Sequence, residues 1–333
     1  MVILVTGGTG FIGSHLVDTL VSNGEDVRML VRKASKVEKF KNLGVDFVFG
    51  DITDKDTLKG IAEDVDIVYH LAAMVHASAI SDAAYQKFRE VNVNGSKNLA
   101  EECSNHPISK FIHFSSTAAM GLIEKHIIDE STLCRPSTPY QKSKYDSEKM
   151  ILNYWRTRNL PVVIIRSSMV YGPGGESSEF LKICRIIKKG LFPQIGKGKN
   201  LTPIVCVDDV VRAAILAAER GISGETYLIT SEKSYELSVI AKLIADQLGV
   251  KRVNYRMPVH IAMTGAFIIE LLARIFNFSP IITRQNIKST IADRVFSIDK
   301  ARRELGYEPK VSLEDGIKRT TDWYIENNIL SKK

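Results

Sequence analysis

A phenol and an amine lie four residues apart at Tyr140 and Lys144, where a predicted helix begins. Residues four apart share one helical face, so we expect the two side chains to lie close together. Ser116 follows a predicted strand earlier in the chain. Hydride transfer at a carbinol carbon needs these groups, because a proton must leave or join the same oxygen. We expect Tyr140 to be the acid and base, Lys144 to lower its pKa and bind a ribose, and Ser116 to hold the substrate oxygen.

A glycine-rich turn near the N-terminus predicts that the chain binds a dinucleotide. It reads Thr6-Gly7-Gly8-Thr9-Gly10-Phe11-Ile12-Gly13, follows the apolar run Val2–Thr6 and opens a helical pattern. Glycines allow a tight turn and let a pyrophosphate approach the backbone N–H groups at the helix N-terminus. We expect Gly7 and Gly10 to form this turn, and Gly13 to let the helix lie close to the sheet.

The end of the second predicted strand indicates which dinucleotide is bound. It reads Val31-Arg32-Lys33, and no acidic residue follows before Glu38. An acid there accepts hydrogen bonds from the ribose hydroxyls, whereas an arginine pairs with a 2′-phosphate. We therefore expect NADP rather than NAD, with Arg32 at the phosphate. Alternatively, Arg32 and Lys33 are solvated surface charges. Asp51, after the third strand, could accept a hydrogen bond from the adenine amino group.

Alternating strands and helices must position these residues. Strands are predicted at Val2–Thr6, Val27–Val31, Val45–Phe49, Asp66–Leu71, Lys110–Ser115 and Val162–Arg166, with helices near Lys55–Ala62, Asp82–Cys103 and Tyr140–Thr157. This order predicts an α/β fold, a Rossmann-like doubly wound parallel sheet, with a smaller, mainly helical C-terminal substrate lobe. The dinucleotide-binding domain is expected at 1–171, with 204–230 returning to it. The substrate lobe is expected at 172–203 and 231–333.

The composition excludes several classes of protein. The 333 residues are 44% hydrophobic and 25% charged, as in a globular protein rather than a disordered or fibrous one. The net charge of +7 is too small and dispersed to indicate nucleic acid binding. The four cysteines are far apart, which predicts buried thiols and no metal site. A strand at the N-terminus leaves no room for a signal peptide, and charges interrupt the apolar stretch 258–278. We expect a cytoplasmic protein without an integral membrane segment.

Several motifs together resemble the extended short-chain dehydrogenase/reductase family, which includes NAD-dependent epimerases and dehydratases. They are TGGTGFIG, His70-Leu71-Ala72-Ala73, Asn92-Val93-Asn94-Gly95, Phe114-Ser115-Ser116, Tyr140-x-x-x-Lys144 and Val207-Asp208-Asp209-Val210. The resemblance implies a Ser–Tyr–Lys site at Ser116, Tyr140 and Lys144, and a homodimer. The candidate cofactor-binding residues are Gly7, Gly10, Phe11, Ile12, Gly13, Arg32, Asp51, Ile52, Leu71, Ala72, Ala73, Asn92, Tyr140, Lys144 and Met169.

Met169 distinguishes the branches of this family. Nucleotide-sugar enzymes usually carry an asparagine at this position. They often also have an Arg-Asp pair where this chain reads Leu201-Thr202-Pro203-Ile204. The segment Ser167–Pro173 is more similar to dihydroflavonol 4-reductases and 3β-hydroxysteroid dehydrogenases. This resemblance implies an NAD(P)-dependent oxidoreductase that interconverts a secondary alcohol and a ketone on a mostly apolar small molecule. A nucleotide-sugar epimerase or dehydratase with retained NAD is an alternative, and a non-catalytic dinucleotide-binding regulator is another.

Two segments of the C-terminal half have sequences that are compatible with more than one role. The apolar helix expected at Ile261–Ile275 could line an apolar substrate cavity, rest on a membrane surface, or simply pack within the lobe. A run of basic residues could hold an anionic substrate or be a solvated face. Its members are Lys182, Arg185, Lys188, Lys189, Lys197 and Lys199.

Overall fold

A parallel sheet of seven strands forms the centre of the fold. The structure, a computed structural model, describes residues 1–75, 82–123, 127–251, 255–276, 278, 280 and 282–331. Seven of the strands form this sheet, and the others pair in small two-stranded sheets. In chain order, the strands of the described residues are β1 Val2–Thr6, β2 Asp26–Val31, β3 Asp46–Phe49, β4 Ile67–His70, β5 Lys110–Ser116, β6 Val162–Ser167, β7 Met169–Tyr171, β8 Pro193–Ile195, β9 Leu201–Thr202, β10 Ile204–Cys206, β11 Thr226–Ile229, β12 Tyr235–Glu236 and β13 Tyr255–Met257.

Helices follow most of the strands. They are α1 Phe11–Ser22, α2 Asp82–Arg89, α3 Ser96–Cys103, α4 Pro139–Arg158, α5 Glu179–Lys188, α6 Val207–Arg220, α7 Leu237–Leu248, α8 Val259–Ile275, α9 Arg284–Ile291, α10 Asp299–Leu305 and α11 Leu313–Glu326. Short 3₁₀ turns cover Glu38–Phe40, Lys55–Leu58 and Thr117–Met120, and a π-helical segment covers Glu90–Gly95.

The order of the strands creates a crevice beside β1. The sheet runs β11-β6-β5-β4-β1-β2-β3, and every neighbouring pair is parallel. The chain leaves β1 towards β2 on one side and later returns as β4 on the other. In sheets of this kind ligands bind at such a reversal, beyond the carboxyl ends of the strands. The predicted Rossmann-like doubly wound fold is confirmed.

Apolar cores cover both faces of the sheet. Along β1, Ile3 and Val5 belong to a core that contains Leu16 of α1, whereas Leu4 belongs to a core that contains Leu99 of α3. Successive strand residues point to opposite faces, so a sheet buried on both faces needs a continuous apolar strand. A third core lies in the C-terminal half and includes Ile240 and Ile317.

Two of the predicted helices differ from the structure. The helix predicted at Lys55–Ala62 is wrong, because only a 3₁₀ turn forms at Lys55–Leu58. Lys59 then has an extended backbone and Gly60 a positive φ of 76°, so the helix cannot continue. The helix predicted at Asp82–Cys103 is interrupted by the π-helical segment Glu90–Gly95, which joins α2 to α3.

Candidate active site

A well-capped helix start carries Tyr140, which was predicted to move the proton, and Lys144, which was predicted to lower the pKa of Tyr140. The side chain of Thr138 accepts a hydrogen bond from the backbone N–H of Gln141, and the Gln141 side chain accepts one from the N–H of Thr138. Pro139 occupies the first turn, where its missing N–H costs no helical hydrogen bond. The local sequence thus begins α4 just before Tyr140 and places Lys144 one turn further along.

Tyr140 lies at the carboxyl end of β5, beside Ser116. Its ring centroid is 5.6 Å from that of Phe88, and the residue is half-buried. Burial raises the pKa of Tyr140 to about 12, while a hydrogen bond with the Ser116 side chain acts in the opposite direction. The lowering of this pKa that we expected from Lys144 is therefore not what these residues produce in the structure. The phenol is protonated near neutral pH and can donate a proton.

Lys144 is buried beneath this position. Its Nζ donates a hydrogen bond to the carbonyl oxygen of Phe114 in β5 at 2.6 Å. Burial lowers the pKa of Lys144 to about 8, and the carboxylate of Glu148 one turn away raises it. Glu148 itself forms a buried two-pronged salt bridge with Arg166 of β6, with N–O distances of 3.0 and 2.7 Å. These contacts attach α4 to the sheet within two turns of Tyr140.

A buried row of polar side chains joins β1 to the neighbouring elements. His70 at the end of β4 forms hydrogen bonds of 2.7 Å with the hydroxyls of Thr6 and Ser96. The Thr6 hydroxyl also accepts a hydrogen bond from the backbone N–H of Ala72 at 3.3 Å. Burial and the charge of Lys144 lower the pKa of His70 to about 3, so its ring is neutral. The row holds the segment after β4 against the glycine turn.

The glycine turn and the ends of β2, β3 and β4 surround a cavity of about 490 Å³. Eight of the predicted cofactor-binding residues line it, namely Gly7, Gly10, Arg32, Asp51, Ile52, Leu71, Ala72 and Ala73. Asp51 lies among them with one carboxylate oxygen held by the N–H and the hydroxyl of Thr53, at 2.9 and 2.8 Å. The cavity has the position and lining that the adenosine half of a dinucleotide needs.

Close backbone packing explains the glycines of the turn. Gly7 has a φ of 72°, and a Cβ there would lie 2.6 Å from the backbone nitrogen of Ala72. A Cβ at Gly13 would overlap the carbonyl oxygen of Gly7. The N–H of Gly10 donates to that same carbonyl at 2.9 Å and closes the turn. The bare backbone and the start of α1 fit a pyrophosphate, so the residues present fit a dinucleotide.

Seven other candidate cofactor residues lie outside the lining of this cavity: Phe11, Ile12, Gly13, Asn92, Tyr140, Lys144 and Met169. The side chains of Phe11 and Ile12 pack against the cores. Only their backbone N–H groups at the start of the helix can therefore bind a phosphate. Met169 is half-buried in β7 and packs against the C-terminal core.

Asn92 has a positioning role in the structure. Its amide accepts a hydrogen bond from the N–H of Met74 at 2.7 Å and donates to the carbonyl of Met74 at 3.0 Å. It also donates to the hydroxyl of Ser143 at 3.0 Å, and that hydroxyl donates to the Tyr140 carbonyl at 2.8 Å. Asn92 thus connects the cavity wall at Met74 to the first turn of α4.

Several residues of the site were missed in the sequence. Thr9, Ser35 and Thr53 line the cavity with polar side chains. Ser143 and Thr6 form hydrogen bonds that join the segments around the cavity. Thr6 and His70 could have been recognised, because each stands at the carboxyl end of a predicted central strand. Ser143 immediately precedes Lys144, but nothing in its spacing indicates a contact with Asn92.

The basic run and the cysteines lie outside the cofactor cavity. Lys182 pairs with Glu179 of its own helix at 2.6 Å, while a shallow surface pocket at α5 is lined by Arg185, Lys188 and Lys189 together with Ile329 and Leu330. All four cysteines have free thiols. In the described part of the chain, no group of three or more His, Cys, Asp or Glu could hold a metal ion.

Comparison with known proteins agrees with this geometry. Residues 3–230 match the model of the NAD dependent epimerase/dehydratase family. The chain is 29% identical to a 4-hydroxy-2-methyl-3-oxo-4-farnesyl-3,4-dihydroquinoline-1-oxide ketoreductase of Stigmatella aurantiaca, over 94% of this chain and 93% of that protein. It is 31% identical to a dTDP-D-glucose 4,6-dehydratase of Mus musculus, over 98% of this chain and 89% of that protein.

A solved structure shows the same fold along the whole chain. The dTDP-glucose 4,6-dehydratase DesIV of Streptomyces venezuelae, solved with NAD bound, has a TM-score of 0.80 and 28% identity. The alignment covers 100% of this chain and 99% of that one. The chain therefore belongs to the NAD-dependent epimerase/dehydratase family and is an enzyme of the extended short-chain dehydrogenase/reductase type.

Proposed function

We propose that this chain is an NADP-dependent oxidoreductase that interconverts a secondary alcohol and a ketone on a mostly apolar small molecule. The position of Tyr140 beside the Ser116 side chain, at the start of the helix that buries the Lys144 ammonium, is the observation that carries this proposal. A phenol, a hydroxyl and an ammonium at the ends of β5 and the start of α4 match the needs of proton transfer at one oxygen.

In the direction of ketone reduction, the chain's own residues move the proton. When bound, the nicotinamide ring supplies the hydride. The Tyr140 hydroxyl, protonated near neutrality, donates its proton to the substrate oxygen while Ser116 holds that oxygen by a hydrogen bond. The Lys144 ammonium stabilises the tyrosinate that remains, because an opposite charge nearby favours the ionised form. Alcohol oxidation reverses each proton movement.

Two positions support an apolar substrate rather than a nucleotide-sugar. Met169 offers a thioether where nucleotide-sugar enzymes of the family usually carry an asparagine. The run Leu201-Thr202-Pro203-Ile204 stands where those enzymes often have an Arg-Asp pair, and its strand β9 pairs with β12. Neither position offers a charged donor to a diphosphate. The ketoreductase of Stigmatella aurantiaca, whose named substrate carries a farnesyl group, supports the same substrate class.

The preference for NADP is supported by Arg32. It lines the cavity at the end of β2 together with Ser35, whose hydroxyl accepts a hydrogen bond from the Arg32 N–H at 3.0 Å. An exposed guanidinium at this place can pair with a 2′-phosphate through two hydrogen bonds. NAD is the cofactor present in the DesIV structure, so the choice between the two cofactors is part of the proposal.

A nucleotide-sugar epimerase or dehydratase is the second candidate, and Arg294 favours it. Among the described residues, the buried Nε of Arg294 has no hydrogen-bond partner. Its backbone N–H donates to the Leu201 carbonyl in β9 at 3.0 Å, and burial lowers the pKa of its side chain. A buried guanidinium with an unmet donor suits an anionic group of a ligand.

Turnover measurements separate the two candidates. An oxidoreductase should consume one NADPH for each apolar ketone reduced, whereas an epimerase or dehydratase turns over a nucleotide-sugar without net consumption of added cofactor. Tyr140→Phe should lower kcat about 10²–10⁴-fold while the cofactor still binds, because only the transferable proton is removed. Tyr145→Phe, on the same helix, is the matched control and should keep native turnover. Native activity of Tyr140→Phe would refute the proposed role.

The oligomeric state and the location also belong to the proposal. From the family resemblance we propose a homodimer, and we also propose that the protein is cytoplasmic. Light scattering of the purified protein measures the mass directly, and a mass of one chain at working concentrations would contradict the dimer.

A further inference from the structure

Helix α8 buries small side chains and exposes large apolar ones. Ala262, Ala266 and Ala273 are at most 6% exposed, and the first two pack with Ile195 of β8 and Ile287 of α9. The opposite arrangement is usual, since a surface helix normally turns its large apolar residues inward. Its outer residues are 40–64% exposed and are Ile261, Phe267, Ile268, Leu271, Leu272 and Ile275. We call these six residues the α8 face.

Exposed apolar residues continue beyond the end of the helix. Phe276 is 70% exposed, Phe278 45% and Ile282 37%. The α8 face and these three side chains lie within one short stretch of chain. Many exposed large apolar side chains in one short stretch mark a surface that contacts an apolar partner.

The chain around the α8 face is basic. Residues 247–292 contain six lysines and arginines and a single acidic residue, Glu270. The carboxylate of Glu270 is paired with the guanidinium of Arg284 at 2.8 Å. An apolar helix face within a cationic segment complements an anionic lipid surface, where apolar side chains enter the interface and cations meet the headgroups.

Contacts connect the α8 face to the catalytic helix. The guanidinium of Arg284 lies 5.0 Å from the centroid of the Phe267 ring. The next residue, Gln285, has its side-chain nitrogen 3.5 Å from the hydroxyl of Ser137. Ser137 immediately precedes Thr138, the N-cap of the helix that carries Tyr140. The apolar surface therefore adjoins the segment that positions the catalytic phenol.

We propose that the α8 face binds the surface of an anionic lipid bilayer, with α8 lying in the plane of the interface. No helix in the described ranges is long and apolar enough to cross a membrane, so the contact is peripheral. Bilayer contact would bring an apolar alcohol or ketone to the enzyme from the lipid phase, and this last step rests on the proposed function. The docking itself requires only the α8 face and its basic surroundings.

Vesicle flotation of the full chain tests the docking. The native protein should float with vesicles of equimolar phosphatidylcholine and phosphatidylglycerol, and less with pure phosphatidylcholine. High salt should weaken the binding because it screens the cations. The double variant Ile268→Glu/Leu271→Glu should lower the vesicle affinity at least about tenfold, since two apolar contacts become acidic ones. Ile222→Glu is the matched control, because Ile222 is 53% exposed outside the α8 face, and it should bind like the native protein.

Three outcomes would overturn the docking. One is a native protein that floats with neither vesicle, and another is a double variant that binds as well as the native protein. In the third, the native protein is a dimer by light scattering and does not bind vesicles, and the double variant is a monomer. The α8 face would then join two copies of this chain. Failure of the proposed function has a different signature: vesicles bind the protein, yet no apolar ketone is reduced with NADPH.

Discussion

Arg32 is the residue on which the proposed preference for NADP rests. It is exposed at the rim of the cavity, directly after β2, where a 2′-phosphate of a bound dinucleotide would lie. An acidic residue there would instead accept hydrogen bonds from the free ribose hydroxyls. In the proposed binding mode, the type of this one side chain decides between NADP and NAD without any change in the fold around it.

Arg32→Asp should weaken NADPH binding at least about tenfold and change NADH binding little, because a charge-assisted pair with the phosphate is lost and a repulsive charge replaces it. Fluorescence titration with each cofactor measures both affinities. Lys36→Asp makes the same charge change a few residues away, at a side chain outside the cavity lining, and serves as the control. Equal losses for NADPH and NADH in Arg32→Asp would remove the case for phosphate recognition.

Two buried histidines beside Lys144 link stability to pH. Burial and the Lys144 charge lower the pKa of His70 to about 3 and that of His113 well below its usual 6.5. Nε2 of His113 contacts the Ser147 hydroxyl at 3.2 Å, and the two rings are 5.3 Å apart. Both rings are therefore neutral in the folded protein under conditions where they would be protonated in the unfolded chain.

Below a pH of about 6.5, each such histidine should lower the free energy of unfolding by about 1.4 kcal/mol per pH unit, because the unfolded chain binds the extra proton. The effect is absent above that pH and ends at the folded-state pKa. His113→Phe should reduce the slope of the free energy of unfolding against pH by the contribution of one histidine. Urea unfolding of both proteins across this pH range measures the difference. Parallel curves for the two proteins would show that His113 does not titrate on unfolding.

Helix α4 is the element that brings the chemistry together. Its capping box sets where the helix begins, and its buried residues Lys144, Ser147 and Glu148 contact β5 and β6. The sequence predicted this helix at Tyr140–Thr157, and the structure extends it by one residue at each end. The capping pattern and the Tyr–Lys spacing are local, so they could be recognised in the sequence.

Thr138→Ala should lower the free energy of unfolding by about 1 kcal/mol and also reduce kcat, because the first turn that carries Tyr140 loses its cap. Ser312→Ala is the matched control. The Ser312 hydroxyl caps α11 by accepting the N–H of Asp315 at 3.1 Å, so its loss should cost similar stability and leave kcat unchanged. Urea unfolding and steady-state kinetics measure both quantities. An unchanged kcat in Thr138→Ala would contradict the link between cap and catalysis.

At the scale of the whole molecule, the C-terminal helices α7 and α11 share a core with the segment that follows β6, from β7 to the start of α6. Tyr171 at the end of β7 and Val207 at the start of α6 belong to the same core as Ile317 of α11. Gly316 lies so close to the Tyr171 ring that a Cβ would be 2.5 Å from its hydroxyl oxygen. The hydroxyl of Tyr324 donates to the Gly175 carbonyl at 3.0 Å. Packing therefore sets the position of the C-terminal helices relative to the strands that they cover.

The sequence by itself determined the parts of this protein whose physical cause is local. The glycine turn, the strand and helix alternation, and the Tyr140 and Lys144 spacing each depend on a few consecutive residues and their backbone preferences. The prediction of a helix after Asp54 was wrong for an equally local reason, the positive φ at Gly60. The prediction gave more weight to the helical spacing of apolar residues than to this glycine.

Only the tertiary structure decided which distant groups meet. It brought Thr6 into contact with His70, Asn92 with Ser143 and Glu148 with Arg166. In the folded chain, burial raises the pKa of Tyr140, and the Ser116 side chain acts in the opposite direction. The tertiary structure also turned the large side chains of α8 outward. Burial and desolvation arise from contacts between segments far apart in the chain, and a pattern of residue types does not specify which segments those are.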